Sequence, residues 1–219
     1  GAGDSYAAAL LAKSFSNNKT QTIDPLDLLT NPDIAKNKDA YIISISGNTV
    51  SNVKVSKLFK KAIAITSNPK SKLVNSCLKK ILLNYPHSGV FTSGSIGFLA
   101  SALTSISLVS NIHIKEPTEL FKMALDQSKK VTLGKKIFIL GNFHTYPIAM
   151  YGAAKFYEIL GSNVIHSRIE QFLHMELFSA KPGDTVIIFE EKNPHNFRMI
   201  KNLKKLGLKV CQPLPRSEE

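Results

Sequence analysis

Six short apolar runs, rich in β-branched residues and bounded by turn residues, punctuate the chain: Ala40–Ser46 (AYIISIS), Ala62–Thr66 (AIAIT), Lys80–Leu83, Ile137–Leu140 (IFIL), Val164–His166 and Thr185–Phe189 (TVIIF). Each reads as a β-strand. Between and around them apolar residues recur at helical spacing, predicting helices over Ser5–Phe15, Val50–Phe59, Ile96–Val109, Glu119–Val131, Ile148–Leu160 and His195–Leu206. Strands that alternate with helices imply βαβ units around parallel sheets. The strands are continuously apolar rather than alternating, as strands covered by helices on both faces should be. A Lys-Glu-Pro break follows the helix at 96–109, and Gly134 opens a fresh strand, loop and helix. The reading is therefore an α/β protein of two similar domains, 1–131 and 132–219, each a parallel sheet flanked by helices in the flavodoxin-like manner.

Composition narrows the class. At 219 residues, 43% hydrophobic and 20% charged, the chain can bury a substantial core. No apolar run reaches the roughly 18 to 20 residues that span a bilayer, and the N-terminus lacks the pattern of a secretory signal. A cytoplasmic location is expected, with Cys77 and Cys211 as reduced thiols, because they are far apart and lack metal-type or redox-type spacing. The formal charge of +12 could signal nucleic acid. Its lysines, however, are scattered in pairs (Lys60-Lys61, Lys79-Lys80, Lys129-Lys130, Lys135-Lys136, Lys204-Lys205), without interleaved aromatics and with arginine only at Arg168, Arg198 and Arg216. A solvated lysine surface that favours small anions is the expectation, with neither nucleic acid nor membrane as partner.

The candidate chemistry sits at strand ends. Ser44-Ile45-Ser46-Gly47-Asn48-Thr49 stands at the carboxyl end of an apolar strand and opens a helix. Ligands of parallel sheets bind there, and a helix start offers free N–H groups to an anion. Gly47 lets amides turn inward, and Ser44, Ser46 and Thr49 add hydroxyl donors. A capping role for Ser46 or Asn48 would account for one such residue rather than four. There is no Lys followed by Ser or Thr, so the loop is not a nucleotide P-loop. A second hydroxyl-rich segment, Gly89–Ser95 with Thr92 and Ser93, precedes the helix at 96–109; capping of that helix is the competing reading. The opening Gly1-Ala2-Gly3-Asp4-Ser5 superficially matches the anion-hole loop of ribokinase-like kinases. In those enzymes the loop lies late in a longer chain, and nothing downstream here resembles a nucleotide site. His113, His144, His166 and His195 lack metal-type spacing, so no metal and no cofactor are expected.

These motifs together resemble the sugar isomerase (SIS) family, over nearly the whole chain. SISGNT is similar to that family's SxSGxT phosphate loop, GAGDSYAAAL to its first glycine-serine loop, with Gly3 and Ser5 at the matching positions, and Gly89–Ser95 to its third ligand loop. In that third loop Ser93-Gly94 replaces the usual threonine-lysine pair. GNFHTYPIAMYGAAKFYEI resembles the second SIS domain in the isomerase half of glucosamine-6-phosphate synthase. There a Lys-x-x-Glu on a helix and a later His supply catalytic groups. Lys155, Glu158 and His174 match that pattern with the family spacing, and the residues around His174 also resemble the His-x-Glu of archaeal phosphosugar isomerases.

The resemblance implies a sugar phosphate as ligand and a proton transfer between C1 and C2 through an enediol. Glu158 would be the base, His174 would move the ring-oxygen proton, and Lys155 would hold developing charge. It also implies a homodimer in which one subunit's His completes the other's site. A deaminase or deglycase acting on an aminosugar phosphate fits equally. A non-catalytic phosphosugar sensor needs the SISGNT loop but not Glu158 or His174, and from local sequence alone the latter read as a surface pair plus a loop histidine. Neither a glutaminase domain nor a helix-turn-helix is recognisable in the sequence, and the tail Gln212–Glu219 does not match the lysine-bearing tail of the synthase.

Overall fold

Two spans of chain form separate units, Gly1–Ile112 and His113–Glu219. The computed structural model describes residues 1–86, 93–113, 117–129 and 131–213. In the first unit, helices α1 (Asp4–Phe15) and α2 (Pro25–Thr30) precede strand β1 (Asp39–Ile43). Helix α3 (Val50–Ser56), strand β2 (Lys61–Thr66), helix α4 (Lys72–Ser76), strand β3 (Lys79–Leu82) and helix α5 (Ile96–Ser107) follow. The three strands form a parallel sheet in chain order, β1-β2-β3, with Ala40 level with Ala62 and Ile65 level with Ile81.

The local chemistry explains the elements that hydrophobic pattern alone misses. Helix α2 has only six residues, yet Asp24 caps it by accepting the Leu26 N–H at 2.8 Å, and Pro25 supplies the preset first turn. Helix α4 is shorter still and starts at Ser71, whose hydroxyl accepts the Val74 N–H. Strand β1 stops at Ile43, three residues before the end of the apolar run, because Ser44 turns the chain: the Gly47 N–H donates to the Ser44 carbonyl at 3.0 Å. Leu28, Ile42, Val55, Ala62, Ala64 and Leu73 pack as one core, while Ala7, Ala8 and Leu11 of α1 and Phe98, Ala102 and Ile106 of α5 are also buried.

The second unit opens with helix α6 (Pro117–Ser128), which buries no residue and leaves Leu120, Phe121, Met123 and Leu125 exposed. Strand β4 (Lys136–Leu140), helix α7 (Tyr146–Leu160), strand β5 (Asn163–Ser167), helix α8 (Ile169–His174), strand β6 (Thr185–Ile188), helix α9 (Pro194–Lys205) and strand β7 (Lys209–Cys211) follow. Their parallel sheet runs β5-β4-β6-β7, with β4 inside. Because side chains alternate along a strand, β4 serves two cores. Phe138 and Leu140 join Phe172, Met199 and Leu203 on one face, and Ile137 and Ile139 join Ala149, Ala153 and Val164 on the other. The sequence reading omits β7; three residues beginning with an exposed lysine carry too little pattern.

Both units are thus α/β, with helices against all-parallel sheets. Among the described residues no helix is long and apolar enough to cross a membrane. Cys77 and Cys211 are free and half-buried. Burial raises the pKa of both thiols, partly offset at Cys77 by hydrogen bonds to Ser76 and Ser56.

Candidate functional site

At the carboxyl end of β1 the chain turns through Ser44–Thr49 into α3. Ser44 is buried; its N–H donates to the Ile65 carbonyl at 2.9 Å, and its hydroxyl lies 3.3 Å from that of Thr49. Gly47 adopts φ +63°, and a Cβ there would stand 2.2 Å from Ser71 Oγ and 3.0 Å from Thr66 Oγ1. Any side chain at this position would therefore force the loop off its support as well as strain its backbone. Ser46, Asn48 and Thr49 are exposed on the outer side of the turn. Thr49 is the N-cap position of α3 but makes no side-chain capping bond, so its hydroxyl is not committed to the helix.

The loop is braced from behind by residues that sequence reasoning passed over. The hydroxyls of Thr66 and Ser67 both donate to the Ile45 carbonyl, at 2.9 and 3.0 Å, and the Asn68 amide donates to the Ser46 carbonyl at 3.2 Å. Leu73 N–H donates to the Gly47 carbonyl, and Asn48 Oδ1 accepts the Lys72 N–H. Asn48 thus caps the neighbouring helix α4 rather than α3. The Ser-Asn-Pro sequence after β2 was the available signal, since such a triplet marks a turn rich in side-chain-to-backbone bonds.

Other expected ligand segments of the first unit gather near this loop. Gly3, with φ +54°, starts α1, and Ser5 is buried on its first turn. A methyl group on Gly1 would stand 2.9 Å from the Ile43 carbonyl, so the glycine-serine loop lies beside the end of β1. On the far side, a Cβ on Gly97 of α5 would stand 3.4 Å from Ile45 Cδ1. Ser93 lies in the coil before α5, and Thr92 lies outside the described residues.

In the second unit Lys155 and Glu158 share one face of α7. Lys155 Nζ donates to Glu158 Oε2 at 2.7 Å, and the ammonium also stands 5.1 Å from the centre of the Tyr151 ring. The lysine side chain is 14% exposed against 46% for the glutamate, so the pair presents its carboxylate outward. His174 ends α8, 74% exposed, with Nε2 3.8 Å from a Glu170 oxygen.

Two further polar knots occupy the carboxyl edge of this sheet. Glu190, just after β6, accepts the Asn142 N–H at 2.8 Å and the Thr145 hydroxyl, and so fixes the turn between β4 and α7. Glu176 Oε1 accepts the Ser167 hydroxyl at 3.1 Å, while its Oε2 is buried without a hydrogen-bond partner. The Arg168 guanidinium stacks 4.8 Å over Tyr146, whose ring neighbours His166. Burial lowers the pKa of His166 and so favours the neutral imidazole.

No protein-family model and no curated protein matches the sequence. Solved structures do match the fold. Glucosamine-6-phosphate deaminase from Thermotoga maritima superposes with a TM-score of 0.79 at 17% identity, over 96% of this chain and 73% of that one. The C-terminal domain of glucosamine-fructose-6-phosphate aminotransferase from Francisella tularensis gives 0.70 at 16% identity, over 96% and 70%. Tagatose-6-phosphate ketose/aldose isomerase from Escherichia coli gives 0.73 at 16% identity, over 95% and 66%. At these identities the shared property is the fold, and it is the SIS type that the motifs resemble.

Proposed function

From this fold, we propose that the chain binds a sugar phosphate through Ser44–Thr49 and acts on it as an aldose–ketose isomerase or as an aminosugar-phosphate deaminase or deglycase. The observation that carries the reading is the braced loop at the carboxyl end of β1. The Ser44 and Thr49 hydroxyls face one another, the Ser46 hydroxyl lies outside, and Gly47 has no room for a side chain. Hydroxyl and amide donors on a rigid turn are what a phosphate dianion requires. The fold of a deaminase and of a ketose/aldose isomerase lends support, since both are described as acting on sugar 6-phosphates.

The chemistry proposed for the second unit uses Glu158 as the base. It takes the C2 proton of the open-chain aldose while the C1 carbonyl oxygen takes a proton from water, which gives the C1–C2 enediol; the carboxylic acid then returns its proton to C1 as the C2 hydroxyl releases its proton to water, which gives the ketose. His174 moves the proton of the ring oxygen during ring opening, a task suited to imidazole near neutral pH. Lys155 orients the carboxylate through its ion pair. The exposed His174–Glu170 pair supports the rival reading of a sugar-phosphate-binding module without catalysis.

Ser44→Ala and Ser46→Ala are each expected to weaken sugar-phosphate binding by about 1.5–3 kcal/mol, one charge-assisted hydrogen bond apiece. Calorimetric titration with a hexose 6-phosphate checks this, and unchanged affinity in both variants removes the phosphate assignment. The protein is also expected to be a homodimer. The exposed apolar side chains of α6 support that expectation, since monomers rarely leave such a stripe uncovered. Light scattering that finds an active monomer would refute shared sites.

A further inference from the structure

The opposite edge of the second sheet, where its strands begin, holds a depression of about 970 Å³ that the sugar-phosphate reading does not use. Lys135, Lys136, Lys181 and Lys209 all line it, and Asp184 is the one acidic residue among its walls. Asp184 is buried, and its carboxylate is spent on the backbone. Oδ1 accepts the Lys136 N–H at 3.2 Å and Oδ2 the Lys181 N–H at 2.8 Å, while the Asp184 carbonyl accepts the Lys209 N–H at 2.8 Å. One aspartate therefore ties down the backbones of three lysines from three separate segments.

The floor is equally built. The Gly134 N–H donates to the Thr185 hydroxyl at 2.7 Å, and a Cβ on Gly134 would stand 2.1 Å from the Gly183 carbonyl. Lys136 Nζ is held by the Ser179 hydroxyl at 2.7 Å and over the Phe138 ring. No salt bridge is formed by Lys135, Lys181 or Lys209 among the described residues. Like charges around one depression repel where they come within a Debye length, about 8 Å at physiological salt, and a shared anion relieves that repulsion.

We infer that this lysine-rimmed depression is a second anion site, which takes a small ligand bearing two or more phosphoryl groups. One phosphate would satisfy only part of a rim built from three segments, whereas a chain of phosphates reaches across it. The ammonium groups act as point charges with rotatable donors, suited to phosphate oxygens without a fixed planar geometry. All of its lining residues belong to the second unit, so it uses none of the loop at Ser44–Thr49.

The test is calorimetric titration of the whole chain with inorganic tripolyphosphate at about 0.15 M salt, the physiological condition. The parent and Lys181→Arg/Lys209→Arg should bind it. Lys181→Gln/Lys209→Gln should lose at least about tenfold in affinity, one charge-assisted hydrogen bond or more. Lys57→Gln/Lys60→Gln, equal in charge but in the first unit, should bind as the parent does. An equal loss in the Lys57/Lys60 control would reduce the site to a diffuse surface field. Absence of binding by the parent, or tighter binding of an oligonucleotide that strengthens with its length, would also overturn the assignment.

Discussion

Glu158→Gln should lower turnover on a hexose phosphate by about 10²–10⁴, the usual contribution of a positioned acid–base group. The substitution is nearly isosteric and removes only the charge and basicity of the carboxylate. The fold should stay intact, because Glu158 is about half exposed on α7 and anchors no core. Binding of the sugar phosphate should also persist, because the residues proposed to hold the phosphate, Ser44–Thr49, belong to the first unit. Exchange of solvent deuterium into C2 of the bound sugar should fall in step with turnover. A merely structural Lys155–Glu158 pair predicts the opposite pattern: no more than about 1 kcal/mol of lost stability, as for exposed ion pairs, with parent-like turnover. That outcome would leave the chain as a binding module.

The largest stability effect is expected at Phe138. It is fully buried at the middle of the central strand β4 and meets Phe172 of α8 edge-on, with ring centroids 5.1 Å apart. Phe138→Ala removes most of an aromatic side chain from a site walled by Val186, Ile188, Met199 and Leu203. Strands and helices on both sides hinder collapse into the void, so the cost should be about 3–5 kcal/mol. Urea unfolding followed by hydrogen exchange should show the loss in the amides of β4, β5 and β6. A loss below about 1 kcal/mol, the scale of a volume-conserving swap, would mean that the two helices close the gap.

How much of this was legible in the sequence depended on what kind of signal each element carries. IFIL and TVIIF are continuous apolar runs, and both became doubly covered parallel strands because nothing but a packed interior suits such runs on both faces. The SISGNT turn was legible because glycine and hydroxyl residues at a strand end have few structural uses. Its bracing was not, because Thr66, Ser67 and Asn68 act through long-range bonds to backbone carbonyls that local spacing cannot reveal. Helices α2, α4 and α8, of five or six residues, fall below the length at which periodicity speaks. Their presence rests on caps and tertiary packing. Asp184 is a further case: its role exists only once three strand beginnings have come together.

Strand order has a consequence for synthesis. The first sheet follows the order of the chain, so each strand can add to its predecessor as it leaves the ribosome. The second does not, for β4 has β5 on one side and β6 on the other. After β5 has paired, β4 keeps its remaining backbone donors and apolar side chains open until β6 is made. From Ser167 to Thr185, at typical rates of about 5–20 residues per second, that interval is roughly one to four seconds. An exposed apolar strand edge is a template for foreign strands during that interval. The nascent second unit is therefore the part of this chain with most to gain from a chaperone.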